Sequence, residues 1–186
     1  MEIKLFKDLI DAVGAGGDAV GKIADGIKHA VVTGVGGYDA VKARRAVARL
    51  VDFSARVSLL HVACNDTAYS LREYSRHRRT RYAQDPAGAW TVVLQEIDLV
   101  LGHASELADD MGKERSDFVL EPAYAKLQDA LAARQRLLGE LCRMPPPASP
   151  EELRLVNELG DRYDALIRQL MRAGRELSAY IKCLKQ

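Results

Sequence analysis

Residues 149–184, SPEELRLVNELGDRYDALIRQLMRAGRELSAYIKCL, decide the class of fold. Ser149-Pro150-Glu151-Glu152 is a capping box with proline at the first helical position, so two orphan backbone donors and a fixed φ mark a helix start. Behind it Val156, Leu159, Tyr163, Leu166, Leu170, Ala173, Leu177, Tyr180 and Leu184 follow at alternating steps of three and four residues. That spacing lines one face of a long helix, which must be buried against other helices.

Upstream, Pro145-Pro146-Pro147 ends a preceding helix. That helix begins near Asp117, or at Pro122 on a stricter reading, and carries Leu120, Tyr124, Leu127, Leu131, Leu138 and Leu141. Asp85-Pro86 caps another helix, whose seam is Trp90, Leu94, Ile97, Leu101, Ala104, Ala108 and Met111. The second helix, opened by Asp39 and running to about Ala83, has apolar or small positions at Ala43, Val47, Leu50, Ser54, Val57, His61, Cys64, Ala68 and Leu71, and is long enough to leave room for a break near Asn65-Asp66. No segment alternates convincingly as a strand. The reading is all-α: an antiparallel up-down four-helix bundle with an additional N-terminal amphipathic helix. Residues 1–37 form that helix and its hinge, and residues 38–186 form the bundle, all within a single domain.

The first helix repeats in rows of seven, Ile3, Ile10, Gly17, Ala24 and Val31 beside Phe6, Val13, Val20 and Ile27. Its five glycines, Gly14, Gly16, Gly17, Gly21 and Gly26, each cost ~0.8–1 kcal/mol of helix preference relative to alanine. It is expected to be the weak and mobile helix, with Gly34, Gly36 and Gly37 as its hinge.

The charged share of 28% solvates a folded surface, and aromatic residues make up only 6%. The core must therefore rest on aliphatic side chains, a composition that favours helices. The longest stretches without a charged side chain, Ala30–Tyr38 and Pro86–Gln95, fall well short of the ~20 apolar residues of a spanning helix. The beginning of the chain alternates charged and apolar residues, unlike a signal peptide, so a cytoplasmic location is expected, including peripheral contact with a membrane. Cys64, Cys142 and Cys183 are odd in number and widely spaced, which suits reduced core thiols better than disulfides. The net charge of +1 is uneven: residues 39–83 are basic and residues 84–117 acidic.

Chemistry-bearing patterns are few. Gly16-Gly17-Asp18-Ala19-Val20-Gly21-Lys22 starts like a phosphate-binding loop, but Ile23 stands where a hydroxyl must hold magnesium, and the seam through it says helix. No Glu-x-x-His pair exists for a bundle metal centre, and His61-x-x-Cys64 would be only half of a zinc site. No cofactor is expected. Arg72 and His77, like Arg56 and His61, have the R-x4-H spacing of HEPN-type ribonucleases, a resemblance that implies RNA cleavage in a dimer cleft with Arg72 and His77 as the catalytic pair. Arg72, Arg76, Arg78, Arg79 and Arg81, interleaved with Tyr74 and Tyr82, would suit an anionic membrane surface or nucleic acid. The plain alternative is a helix end whose cations complement its dipole and pair with Glu151, Glu152 and Glu158.

A glycine-rich amphipathic N-terminal helix, a glycine hinge and a four-helix bundle together resemble the HeLo and MLKL-type cell-death domains. The resemblance implies a released segment that disturbs a membrane, with Ile3, Phe6, Ile10, Val13, Val20 and Ile27 as its contact surface. The function expected is therefore that of a non-enzymatic effector or interaction domain acting through self-assembly, a protein partner or a membrane surface. The alternatives are the HEPN-like ribonuclease and a structural or immunity-type bundle.

Overall fold

The computed structural model describes residues 2–35, 40–76, 84–112 and 121–184, and these contain no strand. Five helices are present: α1 (Glu2–Val35), α2 (Ala40–Arg76), α3 (Pro86–Gly112), α4 (Glu121–Leu141) and α5 (Pro150–Leu184). The all-helical reading holds. α2 passes through Asn65-Asp66 as one helix, without the break its length left room for.

Local signals act where the sequence places them. Asp85 accepts the Gly88 amide at 2.8 Å and its own carbonyl accepts that of Ala89, which starts α3. At the head of α5 the Ser149 amide donates to the Glu152 carboxylate at 2.8 Å and the Glu152 amide donates to Ser149 Oγ at 3.2 Å, closing the capping box in both directions. Of the descending prolines, Pro147 is buried, and its carbonyl accepts the Tyr74 hydroxyl at 3.1 Å.

The core is one continuous cluster. Trp90, Leu101, Leu131, Leu138, Leu166 and Leu170, expected inside from their seams, are all buried. Each such side chain withdrawn from water contributes roughly 1.5–3 kcal/mol. At one end Trp90 packs against Tyr74, with ring centroids 5.0 Å apart, and against Phe6, at 6.1 Å. Those three aromatics tie α1, α2 and α3 together.

Pairings fix the neighbours. Arg56 bonds Glu106 and Thr67 bonds the Glu96 carbonyl, so α2 and α3 run antiparallel. Ser75 meets Asn157 and Arg72 meets Asp161, so α2 and α5 are antiparallel as well. Among the described residues the α4 and α5 backbones are not neighbours, because α1 packs on both, although Arg134 of α4 reaches Tyr163 of α5. The sequence reading set α1 outside helices that were neighbours in chain order; here it separates two of them. The reason lies in the width of its apolar face: Leu5, Leu9 and Ala12 form a buried row beside Phe6, Ile10 and Val13, enough to serve two partners.

The α1 glycines divide by environment. A Cβ at Gly16 would sit 3.3 Å from Arg134 Nη1, and one at Gly17 would meet Leu166 and displace the Gln169 amide, whose Nε2 donates to Asp18 at 3.1 Å. A Cβ at Gly14 or Gly21 would meet nothing within 4 Å. Alanine at Gly14 and Gly21 together should therefore add up to ~2 kcal/mol of stability in denaturant titration, whereas Gly17→Ala should gain nothing. Equal gains at all three positions would show that Gly17 has no packing role.

Candidate functional site

Arg72, the first member of the expected catalytic pair, projects from α2 towards α5, where Gly160 leaves room for its stem: a Cβ there would lie 3.4 Å from Arg72 Cγ. Its guanidinium donates to Asp164, and to Asp161 Oδ1 at 3.1 Å. The bond to Asp164 is the first cause that raises the Arg72 pKa above its ordinary value, with Asp161 adding to it. Two carboxylates one turn apart on α5 thus neutralise this arginine. Arg72 itself pairs with these two carboxylates, while Glu152 closes the capping box of its own helix and Glu158 lies 3.8 Å from Arg154. His77 lies outside the described residues. In the second R-x4-H pair Arg56 bonds Glu106 at 2.6 Å while His61 lines the groove between α2 and α5.

Of the remaining expected site residues, Ile3, Phe6, Ile10 and Val13 lie on α1 and Arg76 ends α2. Arg76 is exposed; Arg78, Arg79 and Arg81 lie outside the described residues. Phe6, Ile10 and Val13 are buried and Ile3 is partly buried against the core, so this row is turned towards its own fold. The side chains of Val20 and Ile27 lie outside the described residues. Gly34 is within α1, and Gly36 and Gly37 lie outside the described residues. The stretch that resembles a phosphate-binding loop is continuous helix.

Cys64 is buried, as expected, but Cys142, in the turn that follows α4, is exposed, a correction to its reading as a core thiol. Burial pushes the Cys64 thiol up to about 12, with the nearby Arg134 pulling the other way. A thiol held protonated at neutral pH is no nucleophile. Among the described residues no three His, Cys, Asp or Glu side chains gather as a metal site. No described helix is long and apolar enough to cross a membrane.

Sequence reasoning missed the exposed surface. Among the described residues every large apolar side chain left in solvent lies on α2, α3 or α5. On α2 these are Val51, Leu59, Val62 and Tyr69; on α3, Val92 and Leu99; on α5, Met171. The α2 members fall at helical spacing, a signal present in the sequence but overshadowed by the inward seam. Beside them a surface groove of about 510 Å³ runs between α2 and α5, floored by Val57, Leu170 and Met171. Its charged rim is basic, Arg175 and Lys182 with His61, and no acidic side chain lines it.

Comparison with protein-family models, curated proteins and solved structures finds no match to this chain.

Proposed function

We propose that this chain is a non-enzymatic helical interaction domain that works through its surface and not through a reaction centre. The observation that carries this is that, among the described residues, the exposed large apolar side chains gather on three adjoining helices, since scattered single residues need no explanation but a confined group does. The neutralised Arg72 supports the same reading, because a guanidinium spent on Asp161 and Asp164 is not free to hold a scissile phosphate. In this reading the five helices alternate in direction, with α1 as a full member. In this reading α1 acts, if released, by exposing Phe6, Ile10 and Val13 to a membrane or partner, as in the HeLo and MLKL-type resemblance. Gly14 and Gly21, which loosen α1 without serving its packing, support that role.

The test pairs two assays on the full chain. Incubation with single-stranded RNA should leave the RNA intact, and vesicles containing anionic lipid should leak only if α1 leaves the bundle, so alanine at Gly14 and Gly21 should reduce any leakage. RNA cleavage that disappears in His77→Ala would replace this reading with the ribonuclease.

A further inference from the structure

The outer face formed by α5, α2 and α3 has an arrangement of charge and apolar surface that is complementary to itself. α2 lies in the middle, packed on α5 at one side and on α3 at the other, and the α3 and α5 backbones are not neighbours among the described residues. Along its outer side Val51, Ala55, Leu59, Val62, Asp66 and Tyr69 follow at steps of three and four, and all are exposed, with Val62 at 56% and Tyr69 at 64%. Five of these six are apolar, the pattern of a seam between two helices, with Asp66 the one charge in the row. On the α5 side the groove presents Arg175 and Lys182 over an apolar floor. On the α3 side the chemistry reverses: the helix carries Glu96, Asp98, Glu106, Asp109 and Asp110, no lysine and no arginine. Asp98 and Asp109 are exposed, and so are Val92 and Leu99.

Resting on the reading of an interaction domain, we infer that this face binds a second copy of the chain about a two-fold axis running along α2. Both α3 and α5 are antiparallel to α2, so they are parallel to one another. Rotation by half a turn about an axis along α2 lays the α2 row on its own copy and puts each α3 over the other copy's α2/α5 groove. Such a contact is isologous: what one copy offers at the groove, the other offers at α3.

The levels agree. Glu106 is bonded to Arg56, which immediately precedes the groove residue Val57, so the acidic half of α3 stands level with the basic groove. Asp109 then comes opposite the stretch between Arg175 and Lys182. An apolar centre flanked by opposite charges fits the anatomy of a specific interface. The area suffices as well. From Val51 to Tyr69 α2 extends ~27 Å at ~1.5 Å per residue, and three helices side by side are about 30 Å across. The product, roughly 800 Å² per copy, is the size of a standard interface.

Light scattering after size exclusion at low ionic strength should give twice the chain mass of 20.5 kDa. Val62→Glu, an exposed position that leaves the core untouched, should leave a monomer with an unchanged melting temperature. Two charge-reversed variants provide the decisive comparison: Arg175→Glu with Lys182→Glu in one, Asp98→Lys with Asp109→Lys in the other. Each alone should weaken self-association by about tenfold or more, because it sets like charges against each other. Mixed, they should form a heterodimer, in which both groove contacts are complementary again.

A wild-type chain that stays monomeric at millimolar concentration overturns the inference, as does a dimer indifferent to Val62→Glu or a mixture that does not reassociate. Binding to anionic vesicles that is lost in Val62→Glu, from a chain that stays monomeric, would assign the face to a membrane instead, and the interaction-domain reading would survive. RNA cleavage by the same sample would remove that reading whatever the mass.

Discussion

Leu9→Ala is expected to lower the free energy of unfolding by about 2–5 kcal/mol, as much as the same change at Leu159 in α5. Both side chains are wholly buried, and both belong to the one continuous core. Leu9 sits in the part of α1 that separates α4 from α5, so the cavity left by truncation is walled on several sides and cannot collapse easily. A helix merely laid on a finished bundle would respond differently, because its leucine would be half in solvent and its loss would cost little. Urea titration of the two variants beside the wild type makes the comparison. A loss at Leu9 under ~1 kcal/mol beside a full loss at Leu159 would mean that α1 is peripheral in solution.

What the sequence made legible was local. The Ser149–Glu152 box and the Asp85-Pro86 start need only neighbouring residues to form, and both appear as read. Seams were equally legible where one face of a helix is buried, as in α3. Partners distant in the chain were not. Nothing near Arg72 points to Asp161 and Asp164, because that pairing depends on how α2 and α5 lie side by side. The intercalation of α1 was hidden for the same reason: chain order suggests that α4 and α5 are neighbours, and only the packing of the two-row α1 face shows otherwise. The outward α2 row was visible as a second set of apolar positions, yet a helix with two apolar faces reads as one broad face until its neighbours are known. Arg134 is the instructive miss, for its position was readable. It falls between Leu131 and Leu138 on their seam, which places it inside.

Arg134 is 3% exposed, and its Nη2 donates to the Tyr163 hydroxyl at 3.5 Å. Its Nε has no partner, and no described carboxylate forms an ion pair with it. An uncompensated cation in a core costs several kcal/mol in lost hydration, which one long hydrogen bond to a neutral phenol does not return. Replacing the pair together, Arg134→Met with Tyr163→Phe, should therefore raise the unfolding free energy by about 1–4 kcal/mol. Arg134→Met alone should gain less, since it leaves the wholly buried Tyr163 hydroxyl without its partner. Tyr163→Phe alone should destabilise, because it takes the acceptor from a charge that stays buried. The two single changes and the double change form a cycle whose coupling term reports the Arg134–Tyr163 contact. If the double variant is instead less stable than the wild type by several kcal/mol, the guanidinium is compensated in solution, and its place on the Leu131–Leu138 seam earns stability that an apolar side chain cannot replace.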